Sequence, residues 1–142
     1  MTRTFSSQFN LAQIRVDEAC ADILRAILVE IETGISPKPE LGIRYRPAKW
    51  FGELTEAERQ AYSRALRKLD DAGLVERMTE RRRDRVAHVR ITPIGLWKAL
   101  ELNPGADRDT IAEDLAKTDW GANVLDGLVP QPDGDEIRLD LA

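Results

Sequence analysis

Apolar positions along this chain repeat mostly with the 3.6-residue period of a helix, and in one stretch near the middle with the two-residue period of a strand. From Asp17 to Thr33, Cys20, Ile23, Leu24, Ile27, Leu28 and Ile31 follow the i, i+3, i+4, i+7 rule, and Ala19, Ala26 and Val29 widen the stripe. Asp17 and Glu18 suit the first turn of such a helix and Gly34 its end. A stripe this wide is able to pack on two neighbours at once, the domain core and a second subunit. Thr55 to Gly73 predicts the firmest helix. Thr55-Glu56-Ala57-Glu58 matches a capping box, Tyr62, Ala65, Leu66 and Leu69 form the apolar stripe, and Gly73 is a natural left-handed stop. Helical geometry turns Gln60, Arg64, Arg67 and Asp71 to the opposite side. Arg67 has Asp70 and Asp71 close by on the same helix as ion-pair partners.

Leu74 to Met78 then reads as a short strand, and Ala87, Val89 and Ile91 alternate with Val86, His88 and Arg90 as a half-buried one. Between them, residues 79–85 carry Arg81, Arg82, Arg83 and Arg85, a hairpin tip whose cations stay solvated or meet anions. Thr92-Pro93 ends the strand and opens a short amphipathic helix with Ile94, Trp97, Leu100 and Leu102 on its apolar side. Helix, glycine stop, strand, basic tip, strand, helix is the order of a winged helix-turn-helix. Ahead of it, Pro37, Pro39 and Pro47 punctuate a loop, Ile43 to Arg46 fits a short edge strand, and Trp50 and Phe51 plug the core beneath the turn. Arg44, Arg46 and Lys49 stand where they can add phosphate contacts, although a surface loop without function fits them as well. Past Asn103-Pro104-Gly105, residues 107–128 predict helix in one or two pieces, with Ile111, Leu115, Trp120, Val124 and Leu128 apolar and Gly121 as a kink. The first 15 residues, with Phe5, Phe9, Leu11 and Ile14, read as an arm, residues 130–136 as a flexible tail, and Ile137 to Leu141 as a weak edge strand.

The run Ser63-Arg64-Ala65-Leu66-Arg67-Lys68-Leu69-Asp70-Asp71-Ala72-Gly73-Leu74-Val75-Glu76-Arg77 resembles the recognition helix and first wing strand of bacterial and archaeal winged-helix regulators. Val89-Arg90-Ile91-Thr92-Pro93-Ile94-Gly95 is similar to the second wing strand and following turn of the MarR and PadR groups. The likeness covers residues 55–95 and is more specific for the fold than for one family. It implies a helix in the major groove of double-stranded DNA and a wing on the backbone or minor groove. Carried over, Gln60, Ser63, Arg64 and Arg67 face the groove, and Arg81, Arg82, Arg83 and Arg85, with His88 and Arg90 beside them, serve the wing. It also implies a homodimer built by the N- and C-terminal helices. The chain departs from the pattern in one place: only a short candidate, Pro47 to Phe51, stands where the family has a full helix before the turn.

Composition narrows the picture further. With 142 residues, 42% hydrophobic and 32% charged, the chain suits one folded domain with a real core. The organisation expected is a winged-helix domain over 1–102, a helical extension over 103–130 and an acidic tail over 131–142. The fold class is mainly α with a small antiparallel β-wing. No apolar run reaches bilayer length and the N-terminus lacks a signal-peptide core, so no membrane is expected. One cysteine excludes an intrachain disulfide and points to the reducing cytoplasm. The net charge of −4 by itself argues against nucleic acid, but its distribution does not. Residues 1–54 hold 7 basic and 7 acidic side chains, residues 55–92 hold 10 and 7, and residues 93–142 hold 4 and 11. The one basic segment is the one that the fold aims at DNA.

No chemistry beyond binding emerges. One His and one Cys do not make a zinc site, and no Cys-x-x-Cys or His-Glu-x-x-His spacing, phosphate-cradling glycine loop or nucleophile elbow occurs. Cys20 lies on a buried stripe and the carboxylates are scattered, so an enzyme is not expected and no cofactor or metal is called for. A small-molecule effector between the terminal helices and the winged part is compatible with the layout, though no residue names a ligand. The function expected is sequence-specific binding of double-stranded DNA by a transcriptional regulator. The rival from another class is a winged-helix protein-interaction module, favoured by the acidic total and the short second helix. A replication or partition accessory protein of a mobile element would also bind DNA.

Overall fold

Helices dominate the computed structural model, which describes residues 16–34, 40–79 and 86–128, and a small antiparallel sheet completes it. Helix α1, Glu18–Glu32, begins at Asp17, whose carboxylate accepts the Cys20 N–H at 2.9 Å. Cys20, Ile23, Leu24, Ile27, Leu28 and Ile31 are all buried, so the whole predicted stripe enters the core. Strand β1, Ile43–Arg44, and the short helix α2, Pro47–Phe51, follow. Helix α3, Glu56–Asp71, carries the expected capping box. The Thr55 hydroxyl accepts the Glu58 N–H at 3.1 Å, and the Glu58 carboxylate accepts the Thr55 N–H at 2.8 Å. At the other end the Gly73 N–H donates to the Asp70 carbonyl and the Leu74 N–H to that of Leu69, a closure that needs the +82° φ of Gly73.

Strands β2, Val75–Thr79, and β3, Val86–Ile91, join β1 in the order β1-β3-β2, with both pairings antiparallel. Val89 lies opposite Ile43 on one side and Arg77 on the other, and Val75 lies opposite Ile91. Ile43, Val75, Val89 and Ile91 are buried together, as the two-residue alternation requires.

Helix α4, Pro93–Leu102, departs from the amphipathic expectation. Leu96, Trp97, Lys98, Ala99 and Leu100 are all buried, so the helix is covered nearly all round. The reason is tertiary: α1 packs on it, and so does the last helix of the described chain. The buried Lys98 keeps its charge paired with Glu101 at 2.6 Å, and Leu102, expected on the apolar side, is exposed. Helices α5, Arg108–Ala116, and α6, Asp119–Leu128, resolve the one-or-two-pieces expectation as two. The break falls at Lys117 and Thr118 rather than at Gly121, because the Thr118 hydroxyl accepts the Gly121 N–H and starts α6. Ile111, Leu115, Trp120, Val124 and Leu128 join one core cluster with α1, α3 and the sheet.

Asp17 also ties α1 to α3, through Lys68 Nζ at 2.9 Å. The Cys20 N–H above all, and Lys68 after it, lower its carboxyl to about 2. A carboxyl lowered by folding stabilises the native state above its unfolded value of about 4, and that stabilisation fades as the pH falls toward 2. Asp17→Asn keeps a capping oxygen and loses the charge. It should cost less than about 1 kcal/mol at pH 7, since the ion pair is largely exposed. Thermal melts should show a shallower loss of Tm between about pH 4 and pH 2. A loss as steep as that of the native chain would exclude Asp17 from the acid response.

The arm at 1–15, Pro37 and Pro39, the arginines at 81–83 and 85, and the tail and weak strand beyond 128 lie outside the described residues. Among the described residues no helix is long and apolar enough to cross a membrane, and no three His, Cys, Asp or Glu side chains gather to hold a metal ion.

Candidate nucleic-acid interface

Aromatic contacts set α2 against α3. Phe51 stacks on Tyr62 with ring centroids 4.1 Å apart and planes 6° from parallel. Trp50 meets Phe51 edge-on at 6.0 Å, and Tyr45 meets Trp50 edge-on at 5.5 Å. Trp50 and Phe51, expected to plug the core, are therefore half-buried rungs of a ladder that spans the turn. The Tyr62 hydroxyl donates to Asp22 on α1 at 3.2 Å, and its burial, then that carboxylate, raises its pKa. On the same side, Ala65, Leu66 and Leu69 are buried against α1 and β2. Among the described residues, α3 is thus held by one side, and its other side is exposed.

Gln60, Ser63, Arg64 and Arg67 lie exposed on that open side, as the helical wheel predicts. Neither Arg64 nor Arg67 forms a hydrogen bond or ion pair with another described residue. Of the two nearby carboxylates expected for Arg67, Asp70 and Asp71, the first is used elsewhere: it accepts from Arg77 Nε on β2 at 2.6 Å. Two guanidinium groups without a partner among the described residues therefore stand beside an amide and a hydroxyl, with fork donors suited to guanine O6 and N7 or to phosphate.

The remaining candidates divide. Arg81, Arg82, Arg83 and Arg85 lie outside the described residues. His88 is 5% exposed, buried at the sheet, and offers little surface to a phosphate. Arg90 donates from Nη2 to the backbone carbonyl of Glu40, so its guanidinium is engaged in fixing the segment before β1. Arg46 and Lys49 both reach Glu30 on α1, at 3.6 and 3.1 Å, and clamp α2 in place. Arg44 is exposed on β1. One cation beside these candidates was not singled out by the sequence reading. Arg59 flanks the open side of α3, exposed, with Nη1 on the Leu54 carbonyl at 3.0 Å and Nη2 on Glu56 at 2.7 Å. The three-residue spacing of Glu56 and Arg59 was the signal for it.

Cys20 is no part of this surface. Its thiol is buried, donates to the Ala65 carbonyl at 3.6 Å and is pushed up to about 11 by burial, which leaves it a packing residue. A shallow hollow of about 380 Å³ lies beside it, walled by Val16, Asp17, Lys68, Leu69, Ala72 and Leu74, and nothing in that lining singles out a ligand.

Comparison of the chain with protein-family models, with curated proteins and with solved structures gives no match.

Proposed function

We propose that this protein binds double-stranded DNA as a winged helix-turn-helix transcriptional regulator, with α3 in the major groove and the arginine-rich segment after β2 on the phosphate backbone. The observation that carries this reading is the open side of α3, where Arg64 and Arg67 are exposed without a described partner beside Gln60 and Ser63. The element order α1-β1-α2-α3-β2-β3, with β3 between β1 and β2, supports the winged topology. The concentration of basic charge in residues 55–92 supports DNA as the partner. Phosphate contacts supply most of the affinity, and the helix face supplies the selectivity. A replication or partition role would use the same interface.

The terminal helices are the ones expected to build a dimer. Their apolar stripes are buried within the chain, and Val29 and Leu102 are the large hydrophobics left exposed among the described residues.

Fluorescence-anisotropy titration with mixed-sequence duplex DNA at two salt concentrations tests the reading. Binding that weakens with salt supports it. A folded protein that binds no duplex at low salt overturns it in favour of protein docking, the reading that the net charge of −4 and the acidic last third favour. Arg64→Ala should lose about 1–3 kcal/mol at one cognate base pair and little on other sequences. An equal loss on every sequence would leave Arg64 a phosphate contact.

A further inference from the structure

We propose that Glu56 is a specificity-determining residue of this interface, a positioning residue that orients Gln60 and Arg59 for base reading while its charge opposes indiscriminate phosphate binding. The inference rests on the DNA-binding reading and deepens it.

Glu56, Gln60, Ser63 and Arg67 follow at intervals of four, three and four residues along one exposed line of α3. The carboxylate of Glu56 is shared between two neighbours. Its Oε1 accepts from Arg59 Nη2 at 2.7 Å and its Oε2 from Gln60 Nε2 at 3.3 Å. These two bonds, Arg59 first, lower its pKa, so the group is fully ionised at neutral pH.

An ionised carboxylate only accepts hydrogen bonds, so it dictates which end of the Gln60 amide turns toward it. The NH₂ faces Glu56. The carbonyl oxygen and the second N–H are left for a partner, which is the donor–acceptor pair that matches adenine N6 and N7. Arg59 is held at both Nη atoms, with its guanidinium at the edge of the same surface. The charge of Glu56 has a second effect. Placed on the line of Gln60 and Arg67, it repels a phosphate that slides across the face, and so weakens every mode of binding in which the base contacts are not made.

The test compares native protein with Glu56→Gln, using a pool of duplexes with a randomised core and then single duplexes drawn from the enriched and unenriched sequences. Gln60→Ala identifies the base position that Gln60 reads. In Glu56→Gln, whose amide accepts or donates at will, the preference for adenine at that position should fall by about five-fold or more. Affinity for unenriched sequences should rise at the same time. Circular dichroism melts of both variants check that the fold is intact, since a residue with only a capping role would shift Tm and leave base preference unchanged. An unaltered preference with unaltered affinity for unenriched DNA overturns the role of Glu56 while leaving DNA binding standing. A native protein that enriches no sequence overturns the inference too, and is told apart because it appears without any substitution.

Discussion

Gly95→Ala should destabilise the protein by about 3 kcal/mol or more and lower its Tm by roughly 10 °C, although the same substitution in an ordinary exposed helix gains stability. Gly95 sits in the first turn of α4, where a Cβ would meet the Leu74 carbonyl oxygen at 1.8 Å, its carbonyl carbon at 2.7 Å and its Cα at 3.0 Å. These are backbone atoms that have little room to retreat. Leu74 closes the end of α3 through its N–H, while its carbonyl accepts the Thr92 N–H at 3.0 Å. The Thr92 hydroxyl lies 2.6 and 2.9 Å from the Gly73 and Leu74 carbonyls and also accepts the Gly95 N–H. The end of α3, the start of β2 and the start of α4 therefore meet at one crowded knot. Relief requires α4 to move away from the strand, which would open the core around Leu96. Circular dichroism melts of Gly95→Ala beside Gly105→Ala check this. An alanine at exposed Gly105 meets nothing within 4 Å and should stay within about 0.5 kcal/mol of native. Equal Tm values for the two variants would refute the close approach at Gly95.

Replacing Arg81, Arg82, Arg83 and Arg85 together by Ala should give the largest functional change: a loss of affinity on all duplex sequences alike, with a flatter salt dependence. Each phosphate that a cation neutralises contributes about 0.9 to the slope of log affinity against log salt, so four such contacts account for about 3 to 4. The physical basis is the charge layout. Residues 55–92 are the one stretch with a basic excess, 10 against 7, and without these four arginines that excess becomes an acidic one. The last third of the chain, with 4 basic and 11 acidic residues, would then oppose DNA unaided. Anisotropy titrations at several salt concentrations read the slope directly. A slope equal to that of the native protein would remove this segment from the interface. Set beside Arg64→Ala, the comparison separates backbone contact from base reading, because the first acts on every sequence and the second on one base pair.

Much of the fold was legible from local pattern. The stripe Cys20–Ile31, the capping box at Thr55 and the short helix at Pro47 appear in the structure as read, and Val89 and Ile91 are buried as expected. The edge strand read over Ile43 to Arg46, by contrast, is paired only at Ile43 and Arg44, and His88, read on the open side of the alternation, is buried. The open side of α3 appears as read, because 3.6 residues per turn separates Gln60, Arg64 and Arg67 from Leu66 and Leu69 without reference to the rest of the chain. Polar partnerships were less legible. Spacing matches Arg67 to Asp70 or Asp71, yet Asp70 takes Arg77, which the sheet brings to it.

By itself the sequence determined the caps and apolar sides of α1 and α3 and which segment is basic. Those properties depend on neighbours within about four residues, and periodicity and capping record them. Only the tertiary structure decided which cations stand without a partner among the described residues. It joined Lys68 to Asp17 across 51 residues, Lys49 to Glu30 across 19, and Arg90 to the Glu40 carbonyl across 50. It also buried His88, and it turned α4 from an amphipathic helix into one covered nearly all round by laying α1 and α6 against it. Side chains far apart in sequence meet only after the core has set the relative positions of the helices, and spacing along the chain carries no record of that meeting.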